Sequence, residues 1–183
     1  LVFQVHYTPV GSEQLDQSRV GMTFVEADSV EFEVRTASAM NADLRIPPNE
    51  ANHRVEASSV QLRQPVRLLA LAPHMHLRGK SFSVKARFPD GRERQLLTVP
   101  RYDFNWQTTY FLAKPLRLPK GTVLEYVGTF DNSPNNRFNP DPSKTVLWGD
   151  QSWEEMNIGF TEVAFPAEAN ANVATLSDTS KPA

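Results

Sequence analysis

Two histidines one residue apart, His74 and His76, and a distant methionine, Met156, are the residues whose types could do chemistry together. Side chains on a strand alternate between faces, so both imidazoles share one side while Met75 and Leu77 take the other. With Cα atoms about 6–7 Å apart, two such rings can converge on one ion when their nitrogens lean inward. A thioether is a poor ligand for zinc, calcium or magnesium and a good one for Cu(I), whereas imidazole accepts both copper oxidation states. Two imidazoles and one thioether therefore favour reduced copper with a coordination position open to dioxygen. The same residues also allow a plainer reading, with one histidine a hydrogen-bonded surface group and Met156 a core methionine. From residue types alone both stay open.

Strands must position these groups. Val30–Arg35, Arg54–Ala57, Val66–Ala72, Ser81–Phe88, Glu93–Val99, Trp106–Phe111, Thr122–Phe130 and Met156–Phe165 are short, rich in β-branched and aromatic residues, and separated by Pro, Gly and Asn. Leu1–Thr8 and Val20–Val25 read as two further strands. Asp90-Gly91 marks a hairpin turn, and a single helical turn is expected around Ser152–Glu155. No sustained 3.6-residue repeat is present, so the expected fold is all-β: an antiparallel β-sandwich with jelly-roll topology. The Pro-containing segment Ala37–Asn52 reads as a connection. The expected division is 1–36 as terminal strands of a truncated preceding domain, 37–166 as the sandwich, and 167–183 as a flexible tail. The start at Leu1, inside an apolar pattern and without Met, is read as a sign that material upstream is missing.

Composition narrows the function. The chain has 183 residues and no cysteine, which excludes disulfides, thiol catalysis, Cys-ligated zinc, iron–sulfur clusters and blue copper. Its 19 Lys and Arg against 21 Asp and Glu are dispersed, so no nucleic-acid partner is expected. No apolar run reaches the roughly 18 residues of a membrane-spanning helix.

Phe3-Gln4-Val5-His6-Tyr7, His74-Met75-His76-Leu77-Arg78-Gly79-Lys80 and Glu154-Glu155-Met156, in that order, resemble the copper type II, ascorbate-dependent monooxygenases, the family of peptidylglycine α-hydroxylating monooxygenase and dopamine β-hydroxylase, and in particular the C-terminal copper domain of bacterial homologues. The resemblance spans about residues 1–165. It implies copper held by His74, His76 and Met156, one ion in this chain and two in an intact protein, with His6 a remnant ligand of the first site. It further implies dioxygen and a small organic substrate as partners, ascorbate or a similar reductant, an upstream copper domain or redox partner, C–H hydroxylation, little activity for this chain alone, and a periplasmic or secreted location. Asp131, Asp150, Glu154 and Glu155 are the acids expected to support the imidazoles, and Trp148, Trp153 and Phe160 the rings expected to shape the substrate space. Peptide-processing members carry an Arg and a Tyr where this chain has Ala72 and Phe160, which argues against a C-terminal glycine peptide as substrate.

Two other readings compete. One is a non-catalytic copper-binding or electron-transfer module. The other is a structural or glycan-binding sandwich, with Asp131, Asn135, Asn136 and Asp141 as calcium candidates.

Overall fold

The computed structural model describes residues 5, 7 and 10–167. Contacts divide the chain into Leu1–Val30 and Glu31–Ala183. In the first unit the regular element among the described residues is a 3-10 turn, Ala27–Ser29, where Ser29 Oγ donates to the Glu26 carbonyl at 2.7 Å. Val20–Val25 is irregular and exposed instead of forming the expected strand. Apolar alternation makes a strand only where another strand takes up its N–H and C=O groups, and among the described residues none pairs with it. Most of the expected strand over residues 1–8, including His6, lies outside the described residues, as does the tail beyond Ala167.

Among its described residues the second unit holds ten strands: β1 (Phe32–Met40), β2 (Arg45–Ile46), β3 (His53–Ser58), β4 (Val66–His74), β5 (Gly79–Arg87), β6 (Glu93–Val99), β7 (Tyr110–Leu118), β8 (Val123–Phe130), β9 (Val146–Leu147) and β10 (Ile158–Pro166). They form two four-stranded antiparallel sheets, ordered β1-β10-β4-β7 and β3-β8-β5-β6, with a small third sheet of β2 and β9. The protein is an all-β antiparallel sandwich of jelly-roll type.

Alternation explains which residues meet inside. Leu124, Tyr126 and Phe130 of β8 and Phe82, Val84 and Ala86 of β5 point inward, facing Leu68 and Leu71 of β4 and Val163 and Phe165 of β10. Each fully buried Phe or Leu contributes roughly 1.5–3 kcal/mol of transfer free energy, so these rows dominate the stability of the sandwich. The β5–β6 hairpin turns at Gly91 (φ 84°), a backbone conformation that glycine adopts without a steric penalty.

Local reading and tertiary pairing differ in three places. β1 runs on through Ala37–Met40, which reads as a connection in sequence, because Ser38 and Ala39 lie opposite Phe160 and Gly159 of β10. Trp106–Thr109 is loop, its chain turned by a bond from the Trp106 N–H to the Asp103 carbonyl at 2.9 Å, and β7 begins only at Tyr110. Ser152–Glu155 forms turns, with one N–H of Glu154 on the Gln151 carbonyl at 2.9 Å, and no helix.

Candidate functional site

β4 ends at His74, and the chain turns over residues 75–78 before β5 starts at Gly79. Met75 is fully buried in the core, His76 is buried as well, and His74 is half-buried. The two imidazole centroids lie 5.2 Å apart, edge to face. Phe160 of β10 stands 6.3 Å from His74 because Ile158 pairs with His74 in the ladder and the next outward position follows two residues on. Phe104 stands 6.1 Å from His76, again edge-on.

Three attachments hold this turn. The Glu155 carboxylate, fully buried, accepts the backbone N–H of His76 at 2.8 Å and that of Arg78 at 2.6 Å. Tyr102 is the second: its hydroxyl accepts the Met75 N–H at 3.0 Å and donates to the Met75 carbonyl at 2.8 Å. The third is close packing at Gly79, where a Cβ would come within 2.7 Å of the Tyr102 ring and 2.8 Å of Met75 Cβ. Any larger residue there would push the tyrosine off the turn.

The rings themselves are held at Nδ1. His76 donates from Nδ1 to the Glu154 carbonyl at 3.2 Å, since a carbonyl can only accept. His74 Nδ1 lies 2.6 Å from Gln107 Oε1, and the amide is oriented by its own Nε2, which donates to the Phe104 carbonyl at 2.9 Å. Burial holds the His76 imidazole below its ordinary pKa, outweighing the carbonyls of Glu154 and Gln151, so the ring is neutral at pH 7. Burial likewise pushes the Tyr102 phenol up. Glu155 is raised to about 7 by burial, against the pull of the Arg78 and His76 N–H groups.

The remaining expected residues are placed as follows. Met156 is half-buried between Glu155 and the start of β10. Asp131 Oδ1 accepts the Ser133 N–H at 2.9 Å within its own turn, Asp150 is exposed, and Glu154 Oε2 accepts the Gln151 N–H at 2.9 Å. Trp148 packs on the core edge and bridges to Glu155, while Trp153 is 62% exposed. The calcium candidates serve turns: Asn136 Nδ2 donates to the carbonyls of Leu77 and Asp131, and Asp141 accepts from Ser143 and Lys144. Tyr102, Phe104 and Gln107 are the site residues that sequence reasoning misses. Their loop carries no motif, and only Tyr102-Asp103-Phe104, aromatic residues beside a turn-forming Asp, hints at them.

These positions do not make the expected metal centre. Among the described residues no group of three or more His, Cys, Asp and Glu side chains is gathered where it could hold a metal ion. Among the described residues no third imidazole or carboxylate completes a metal-holding group with His74 and His76, and Glu154 and Glu155 are engaged by backbone N–H groups. The copper expectation is therefore corrected. With it go the copper monooxygenase family membership, the oxidoreductase activity, the alternative copper or electron-transfer module, the ascorbate dependence, and the dioxygen, small-substrate and copper-domain partners built on it.

The class that fold and site define is a jelly-roll sandwich with a rigid histidine–aromatic corner at the end of β4. No family model matches the chain, and no curated protein matches it. Solved structures do: a structure of infectious bursal disease virus Gt strain (13% identity, TM-score 0.39, 88% of this chain and 38% of that one) and the infectious bursal disease virus VP2 subviral particle (10% identity, TM-score 0.38, 82% and 38%). A third is the T13 IBDV viral particle (11% identity, TM-score 0.37, 79% and 36%). The chain spans less than two-fifths of the length of these proteins. At this level of similarity they bear on no residue of the site.

Proposed function

We propose that this chain is a non-catalytic binding module, and that the His74–His76 corner takes a neutral, hydroxyl-rich ligand of the carbohydrate class. The observation that carries the reading is the pair of imidazoles fixed 5.2 Å apart between the rings of Phe104 and Phe160. His74, half-buried beside the Phe160 ring, offers a polar edge next to an aromatic face, with the buried His76 packed against it edge to face, and this suits a sugar, whose hydroxyls need hydrogen-bond partners and whose C–H faces stack on aromatic rings. Gln107 is exposed beside the corner with its amide held between His74 and the Phe104 carbonyl, and Trp106, 69% exposed on the same loop, adds an aromatic surface. The neutral state of His76 favours an uncharged ligand over an anion at this corner. A periplasmic or secreted location, where glycans are encountered, belongs to the same proposal.

The test is a glycan array of neutral oligosaccharides probed with the wild-type chain and with Trp106→Ala and His74→Ala. Binding to a defined subset, lost in both variants while their thermal unfolding stays within a few degrees, supports the reading. An empty array for the wild type, or binding unaffected by either substitution, overturns it.

A further inference from the structure

The two sheets close unequally at their ends. At one end the edge strands β1 and β3 approach each other, while at the other β6 and β7 stand farther apart and leave a groove of about 440 Å³ between them. Each strand is bulged where it borders the groove. β6 carries an extra residue, Leu96, against β5, and Gln95 Nε2 donates to the carbonyls of Val84 and Leu97 at 3.0 and 2.6 Å, bridging the break in the ladder. In β7, Phe111 lies opposite Ala70 and Leu116 opposite Leu68, so residues 112–115 face the single residue Leu69 of β4. Pro115, among them, has no N–H to offer. Bulges and an edge Lys-Pro pair keep a sheet edge from accepting another strand, so this groove is not shaped for strand addition.

Its lining combines apolar and cationic side chains. Leu96, Leu112 and Leu116 are half-buried, packing against the core on one side and lining the groove on the other. Arg94 and Lys114, also in the lining, are exposed, and among the described residues neither forms an ion pair. Among the described residues the lining holds no carboxylate, and Glu93, the acid next to Arg94, is taken by Lys85 at 2.9 Å. A small anion would leave the three leucines open to water, and a neutral lipid would leave both cations unmatched. An anion with an alkyl chain covers the one and pairs with the other. The groove also falls within the roughly 300–1,000 Å³ of small-molecule sites.

We propose that the β6–β7 groove binds a medium-chain alkyl carboxylate, its chain on Leu96, Leu112 and Leu116 and its head at Arg94 and Lys114. The site shares no residue with the histidine corner and does not depend on a sugar binding there.

The experiment is an NMR titration of the full chain with sodium decanoate below its micellar concentration, following the methyl signals of Leu96, Leu112 and Leu116. Decyltrimethylammonium, which keeps the chain and reverses the charge, and sodium acetate, which keeps only the carboxylate, are the comparison arms. Saturable shifts of these methyls with decanoate, weakened about fivefold or more in the Arg94→Gln/Lys114→Gln double variant and in the decyltrimethylammonium arm, support the site. Both substituted side chains are exposed, so the double variant keeps the fold. Shifts that do not saturate, that acetate or decyltrimethylammonium reproduces at equal concentration, or that the double variant leaves unchanged overturn it. Because the readouts are leucines of the groove, failure here is distinct from failure on the glycan array.

Discussion

Glu155 Oε1 accepts the backbone N–H of Arg78 at 2.6 Å across 77 residues of sequence, and its other oxygen takes the N–H of His76 at 2.8 Å. One buried carboxylate thus closes the β4–β5 turn from beneath and fixes where both imidazoles stand. The acid supports the histidines through their backbone, while the ring of His76 is held by the neighbouring Glu154 carbonyl.

Removing that carboxylate leaves two N–H groups of buried residues without acceptors. Glu155→Ala is expected to destabilise the fold by about 2–4 kcal/mol, measured by urea denaturation, and to collapse the separate His74 and His76 ring signals toward solvent-like shifts. A loss below about 0.5 kcal/mol with unchanged signals contradicts the clamp.

Glu155 also sets a pH dependence. Its folded-state pKa is raised by burial to about 7 from the ordinary 4.5, so the folded chain holds this proton more tightly than the unfolded chain does. Its contribution is fully present below the unfolded value and is lost as pH rises toward about 7, by on the order of 3 kcal/mol. His76 works in the opposite sense. Depressed by burial, it contributes stability above its unfolded pKa of 6.5 that is lost as pH falls. The difference between wild type and Glu155→Gln cancels the histidine, and this difference should shift in favour of the variant on going from acid to neutral pH. A pH-independent difference contradicts the raised pKa.

Tyr102→Phe deletes one hydroxyl that bonds both the N–H and the carbonyl of Met75. The expected cost is about 1–3 kcal/mol. Because Tyr102 precedes Phe104 and Gln107 on the same loop, amide exchange over residues 103–109 should quicken by more than global unfolding explains. Uniform acceleration across the sandwich instead marks a simple loss of stability.

Gly159 lies opposite Pro73 of β4 and Ala39 of β1, and a Cβ there would overlap the ring of Tyr126. Tyr126 has no room to retreat, being buried in the core with its hydroxyl bonded to Thr161 Oγ1. Gly159→Ala is expected to cost about 1–3 kcal/mol or more from overpacking. Gly21→Ala, at a position with open space around it, is the control and should stay within about 0.5 kcal/mol of wild type.

Sequence alone determined the class of fold, because short alternating runs such as Thr122–Phe130 and the Asp90-Gly91 turn are local signals that burial and backbone sterics read directly. It also brought His74 and His76 together, and their rings do lie 5.2 Å apart, although the chain leaves β4 at His74 and the turn over 75–78, not strand alternation, places His76. Proximity in space was beyond it. The attachment of Glu155 beneath the turn, the rest of Gln107 on His74, and the bond of the His76 ring to the Glu154 carbonyl all join residues 30 to 80 positions apart. The same holds for the metal expectation: residue types named His74, His76 and Met156 as a donor set, but a centre needs its donors at one point, and among the described residues no group of three or more His, Cys, Asp and Glu side chains is gathered to hold an ion. Val20–Val25 and Ala37–Met40 make the point from both sides, one strand-like run without a strand partner among the described residues and one bland run drawn into a strand by β10. Pairing is a long-range contract between segments, and no local pattern carries its other signatory.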